Sequence, residues 1–230
     1  MTSTIIKTLF LCSVLTAAGC ASQPQQHLWR IDSLERVAGL PVAVQGDPQL
    51  VDTAYGKAVM FDGDGDRLLV DNNPLDGASE FTIEIIFKPS DVYPNNPEPR
   101  FFHIEAPDNP NRRITIELRL NDQHQWYLDT YIKSELSQYT LIDSSLVHPT
   151  EQWAHAAMTY KDRQFTAYVN GKRELSAAVD YLPIASTGKT SIGARMNEVH
   201  WFNGAILAAR ITHRVLSPAE FLRLEDLAVD

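Results

Sequence analysis

The sequence predicts an all-β protein built from two antiparallel sheets packed face to face. Three observations carry this. Asn170-Gly171 stands between alternating apolar and polar residues, a strong hairpin signal, because a type I′ turn needs positive φ at both central positions. Ile114, Ile116, Leu118 and Leu120 alternate with Thr115, Glu117 and Arg119, and this period of two sends the first set inward and the second outward. Short strand patterns separated by Gly, Pro, Asn and Asp recur with few helical patterns between them, which favours a sandwich over βαβ units. With 44% hydrophobic residues in 230, the chain supplies one sizeable core, and a single domain is expected.

The N-terminal segment stands apart from that domain. Lys7 is the only charged side chain before an apolar run from Leu9 to Ala18, and the run closes on Ala17-Ala18-Gly19-Cys20. A positive head, a short apolar stretch and a small-residue cleavage site describe a secretion signal too short to span a bilayer. Small residues directly before a cysteine resemble the bacterial lipobox, with Ala17 where that motif usually carries Leu. The resemblance implies a signal over 1–19 and Cys20 as the acylated first residue, palmitate included; an ordinary signal peptide cut nearby is the alternative. Ala21-Ser22 lacks the Asp that commonly retains lipoproteins in an inner membrane. A lipid anchor in an outer membrane, facing periplasm or cell surface, is therefore expected. Cys12 leaves with the signal and Cys20 is taken by lipid, so no thiol remains for a disulfide.

Residues 20–27 read as a polar, Gln-rich tether, and 28–230 as the domain. Trp29, Ile31, Leu34 and Val37 fit a strand edge or a helical turn. The loop from Ser90 to Arg100 holds Pro94, Pro97 and Pro99 and reads as stiff, exposed and irregular. Strands are predicted at Arg100–Glu105, Arg112–Leu120, Gln125–Ile132 and Tyr139–Ser144, with turns at 108–111 and 121–122. Then come Ala154–Tyr160, a polar turn at 161–164, Phe165–Val169 and, past Asn170-Gly171, Lys172–Leu175. Ala154–Tyr160 is apolar at nearly every position, as in a strand covered on both faces. Ser217-Pro218-Ala219-Glu220 is a capping box with Pro at the first helical position, so a short C-terminal helix from Pro218 to about Leu227 is expected.

Four segments, in order, resemble the laminin G-like members of the concanavalin A-like lectin/glucanase jelly rolls. They are Gly56 to Gly63 with Asp66 and Leu68, Phe81 to Pro89, Trp153 to Gly171 with its W-x-H-x-A-x-T-Y and Y-V-N-G pieces, and Ile192-Gly193 continuing through Phe202-Asn203-Gly204-Ala205-Ile206 to Glu220-Phe221. The resemblance covers most of residues 50–225 and implies an all-β jelly-roll sandwich whose first strand, within 28–44, pairs with the last. It also implies a place for a structural calcium near Asp62, Asp64 and Asp66, three carboxylates in five residues of the kind calcium prefers. Leu207 and Ala208 occupy the positions where the family's closing strand carries Asp and Glu, so part of that acidic environment is missing. A Gly/Asp turn whose carboxylates bind local backbone is the alternative.

The formal net charge of −9 repels a phosphate backbone, and no Lys/Arg run is interleaved with aromatics, so nucleic acid is excluded as the expected partner. Polyanionic sugars need a local basic patch, for which Arg112-Arg113 with Arg119 is the candidate. The E-x-D-x-E string of the glucanases, which aims two carboxylates into one cleft, is absent from the sequence. Glu117-Leu118-Arg119 weakly resembles one strand of the jelly-roll alginate lyases, without their partner motifs. His103 with Glu105, and His200 beside Trp201, lack a third metal ligand.

Sugar rings pair an apolar face with a hydroxyl rim, so a sugar site needs an aromatic platform beside Asp, Asn or Arg. Tyr127, Asp129 and Tyr131 share one face of a strand; with Arg119 and the loop residue Trp201 they form the expected ligand-binding set. The expected function is a non-catalytic binding module for carbohydrate or another envelope macromolecule. A polysaccharide-degrading enzyme, lyase before hydrolase, is the first alternative and a protein-interaction scaffold the second.

Overall fold

A computed structural model describes residues 25–228, so the signal and Cys20 lie outside the described residues. The strands in chain order are β1 (Gln26–Arg30), β2 (Arg36–Val37), β3 (Leu40–Gln45), β4 (Gln49–Thr53), β5 (Gly56–Asp62), β6 (Arg67–Val70), β7 (Phe81–Pro89) and β8 (Arg100–Ala106). They continue as β9 (Asn109–Leu120), β10 (Gln125–Lys133), β11 (Gln138–Pro149), β12 (Ala154–Lys161), β13 (Gln164–Val169), β14 (Lys172–Ala178), β15 (Lys189–Ile192) and β16 (Asn203–Thr212). Strand β1 opens at Gln26, so Gln26 and His27 of the expected tether are paired strand residues.

The first sheet runs β14-β13-β12-β7-β16-β5-β4, and the second β11-β10-β9-β8-β15-β6-β3-β2. Every pairing within them is antiparallel. The expected closure of first strand on last is present: β5 pairs with β16 over Asn203–Ile206, and β1 takes the same edge over Ala208–Thr212. Two tight turns shape the β12-β13-β14 ribbon. Asn170 and Gly171 both have positive φ, as expected, and so do Asp162 and Arg163, which shortens the expected four-residue turn to two.

Between the sheets lies one aromatic-rich core, where Trp29, Phe61, Phe81, Phe87, Phe101, Phe102, Trp126, Phe165 and Phe202 are fully buried. Phe87 meets Phe101 at 4.6 Å between ring centroids. The C-terminal helical segment forms as two 3-10 turns, Pro218–Glu220 and Leu224–Leu227, with Phe221 extended between them. It lies on the outer face of the first sheet, where Leu222 and Leu227 pack with Ile86, Ala205 and Leu207, and Phe221 packs with Ala157. That cover explains why β7 and β12 are buried on both faces.

Glu84 fixes the cover in place. It is fully buried on β7, accepts from Arg210 Nε at 2.6 Å and Nη2 at 2.9 Å, and accepts the Leu222 N–H at 2.6 Å. His155 Nε2 approaches the same carboxylate at 3.1 Å, so the signature histidine of β12 is a packed partner in this clasp.

Candidate functional site

On the outer face of the second sheet, alternation along β9 and β10 brings two charged rows together. Arg113, Thr115, Glu117 and Arg119 alternate with core residues on β9, and Tyr127, Asp129, Tyr131 and Lys133 do so on β10. The antiparallel register sets Arg119 opposite Tyr127, Glu117 opposite Asp129 and Thr115 opposite Tyr131. Thr115 and Glu117 were expected to face outward and do so, yet they are 1% and 4% exposed. Longer neighbours lie over them.

Those neighbours arrive from two other places. Arg100 opens β8, and Arg195 follows β15 on the segment leading into β16. Arg100, Arg113, Arg119 and Arg195 ring Glu117 and Asp129 in a pocket of about 160 Å³, completed by Thr115, Tyr131 and Thr140. Arg119 Nη2 pairs with Asp129 Oδ2 at 2.6 Å. Glu117 has Arg100 Nε at 3.3 Å, Arg195 Nε at 3.5 Å and Arg119 Nη1 at 4.0 Å. From the rim, Glu98 approaches Arg100 at 3.2 Å and Arg119 at 3.3 Å. Arg113 lies over the Tyr131 ring at 5.2 Å, and the Tyr131 hydroxyl donates to Gln138 at 2.7 Å.

Several of these groups are buried without a hydrogen-bond partner: Glu117 Oε1, Arg100 Nε, Arg113 Nε, Arg119 Nη1 and Arg195 Nε. Charge proximity is present, but the bonding directions are unused. A buried, unpaired polar group costs about 1–3 kcal/mol, so the arrangement is unfavourable for stability alone and suited to a polar ligand. Burial raises the carboxyls of Glu117 and Asp129 above the ordinary range, against the opposing pull of Arg100 on Glu117 and Arg119 on Asp129. Burial also raises the Tyr131 phenol.

Of the five ligand-binding residues expected from sequence, Arg119, Asp129 and Tyr131 line the pocket. Tyr127 shares their face of β10, half-buried opposite Arg119, but does not line the cavity. Trp201 bridges to Arg100 through backbone, and its carbonyl accepts from Asn96 Nδ2 at 2.6 Å; its side chain is outside the lining. Sequence reasoning missed Arg100, Arg195 and Thr140. A loop arginine carries no periodic signal, whereas the charged alternation on β9 did mark its outer face.

Of the three acidic residues near β5, Asp66 and Asp62 accept backbone N–H groups of the turn, and Asp64 donates its own. Asp66 is buried and takes the Asp47 N–H at 2.7 Å on one oxygen and the Asp62 N–H at 3.0 Å on the other. Asp62 Oδ1 accepts from Asp64 N at 2.7 Å. Among the described residues, no group of three or more His, Cys, Asp or Glu is arranged to hold a metal ion.

Fold and pocket together define a lectin-like sandwich with one buried polar site on an outer sheet face. The chain belongs to the concanavalin A-like lectin/glucanases superfamily, whose laminin G family model matches residues 62–221. Among solved structures it is similar to domain 4 of AbnA, a GH43 extracellular arabinanase from Geobacillus stearothermophilus, in complex with arabinotriose. That match has TM-score 0.66 and 18% identity, covering 90% of this chain and 100% of that one. It is also similar to the binding domain of botulinum neurotoxin DC, solved in complex with SialylT (TM-score 0.63, 17% identity, 88% of this chain, 51% of that one). The same toxin domain in complex with rat synaptotagmin II gives TM-score 0.62 at 18% identity, over 85% of this chain and 49% of that one. The chain thus spans about half of these toxin chains, and at such identities the likeness concerns the fold. No curated protein matches the sequence.

Proposed function

We propose that the protein is a non-catalytic carbohydrate-binding module of a bacterial envelope lipoprotein, and that it binds sugar at the Glu117 pocket. The observation that carries this reading is the set of buried guanidinium and carboxyl atoms left without hydrogen-bond partners around one cavity. Sugar hydroxyls both donate and accept, so one ring satisfies both kinds of orphan at once. Tyr131 supplies the apolar surface that a ring's C–H face needs. Domain 4 of the arabinanase, with its bound arabinotriose, supports a sugar ligand for this fold. The lipobox-like Ala17-Ala18-Gly19-Cys20 supports lipid on Cys20 and residence at the outer membrane.

Thermal melting of the protein against a panel of neutral and acidic oligosaccharides tests this, because a ligand of the folded state raises Tm by mass action. A shift with any glycan that disappears in Arg119→Ala supports the reading. No shift across the panel, or a shift that Arg119→Ala leaves intact, rejects it.

A second reading has an observation of its own, since Glu117, Arg119 and Tyr131 converge in one cavity, as a polysaccharide lyase would require. Proton abstraction beside a uronate carboxyl needs a base near neutral range. Tyr131 is moved away from that range by burial, and nearby His103 is 1% exposed with Nδ1 accepting the Met196 N–H. Appearance of unsaturated sugar ends on incubation with uronate polymers would favour the lyase over the module.

A further inference from the structure

The pocket's charge runs against that of the whole chain. Four guanidinium groups converge on two buried carboxyls and one rim carboxylate in a protein of formal net charge −9. The compensation is also uneven. Arg119 has Glu98, Glu117 and Asp129 within ion-pair distance, and Arg100 has Glu98 and Glu117. Arg195 has a single carboxylate within ion-pair distance among the described residues, Glu117 at 3.5 Å. Arg113 has no carboxylate partner among the described residues; its Nη1 donates to the Pro110 carbonyl, and its Nε is buried and unpartnered. Positive charge is therefore least compensated at Arg113 and Arg195; Glu105, opposite Arg113 on β8, is engaged by His103 at 3.3 Å.

Building on the sugar-binding reading, we propose that the pocket selects a carboxylate-bearing sugar, a uronic acid unit, whose carboxylate is held by Arg113 and Arg195. A guanidinium presents two parallel N–H donors to a planar carboxylate, and such charge-assisted pairs are the stronger hydrogen bonds. Glu117 and Asp129 face the hydroxyl side, where ionised or protonated oxygens accept or donate. The cavity, about 160 Å³ and open to solvent on one side, is of a size to seat one sugar unit. The chain's net charge of −9 disfavours a long polyanion lying along the protein, so a chain end or an isolated acidic unit is the better fit.

The experiment is isothermal titration with uronate oligosaccharides (oligogalacturonate, oligomannuronate and hyaluronan fragments), each beside its carboxyl-reduced counterpart, with a sulfated oligosaccharide as a further arm. A uronate should bind about tenfold or more tightly than its reduced form, the worth of one charge-assisted bond, and lose that advantage as salt rises. Arg113→Gln removes charge without stranding a carboxylate; it should bring the acid and reduced forms to equal affinity, while Arg113→Lys keeps part of the preference. Equal affinity for acid and reduced forms overturns the uronate proposal yet leaves the sugar-binding reading standing. Preference for the sulfated arm overturns the carboxylate assignment, and no binding in any arm overturns both.

Discussion

Glu117 and Asp129 stand directly opposite each other on β9 and β10, both buried. Like charges in facing positions of an antiparallel pair are destabilising, and here only arginines offset them. The first sheet shows the contrasting solution: its buried Glu84 is fully bonded by Arg210, His155 and the Leu222 amide. One buried acid closes a structure, and the other pair holds one open.

Removing the facing charges should therefore stabilise the protein. Burial raises the folded-state pKa of Glu117 and Asp129, against Arg100, Arg119 and Arg195. A carboxyl raised on folding contributes stability that is fully present below its unfolded pKa and is lost as pH rises through the folded pKa. Relative to wild type, Glu117→Gln should become progressively more stable as pH rises, because it removes an ionisation that burial opposes, and the two should differ least in acid below the ordinary carboxylate range. Differential scanning across pH checks this, and a gain that grows on acidification contradicts it.

Glu84→Ala should do the reverse. It strands the Arg210 guanidinium and the Leu222 amide beneath the C-terminal turns, at a cost of about 3–5 kcal/mol. Chemical denaturation should show the full loss, with limited proteolysis cutting near 217–227 first. Glu84 is held below the ordinary range because the His155 and Arg210 bonds outweigh its burial. Its contribution is therefore present above the unfolded carboxylate pKa and fades as pH falls through the lower folded value.

Asp66 bonds two backbone amides with its two oxygens. Asp66→Ala should cost about 1–3 kcal/mol for each amide left bare. A calcium-dependent rise in the wild-type Tm, reversed by EDTA, would support the metal reading of Asp62, Asp64 and Asp66, and an unchanged Tm the turn reading.

For the anchor, Cys20→Ser should move the protein from the membrane to the soluble fraction of a bacterial host. Retention in the membrane without the cysteine would remove the lipid assignment.

Much of the fold was legible in the sequence because its cues are local. Asn170-Gly171 forms the turn that positive φ demands, the alternation at Ile114–Leu120 sets the inner face of β9, and first strand pairs with last. The helical segment after Ser217 has its capping box but stays as two 3-10 turns, because Phe221 and Leu222 are drawn onto the sheet. The site was half legible. Arg119, Asp129 and Tyr131 were readable because period two puts them on one outer face. Arg100 and Arg195 were not, since they reach the pocket from a strand start and a connecting segment whose approach only long-range pairing decides. Trp201 was chosen for its chemistry, and the backbone bridge to Arg100 holds it beside the pocket without lining it.

Amide shifts mapped by two-dimensional nuclear magnetic resonance during titration with the tightest-binding oligosaccharide locate the bound sugar. The largest changes should fall at Arg113, Thr115, Glu117, Asp129, Tyr131 and Arg195. Changes centred instead on the hollow lined by Asp62, Asn95, Asn96 and Asn203, with the Glu117 pocket silent, would contradict this placement.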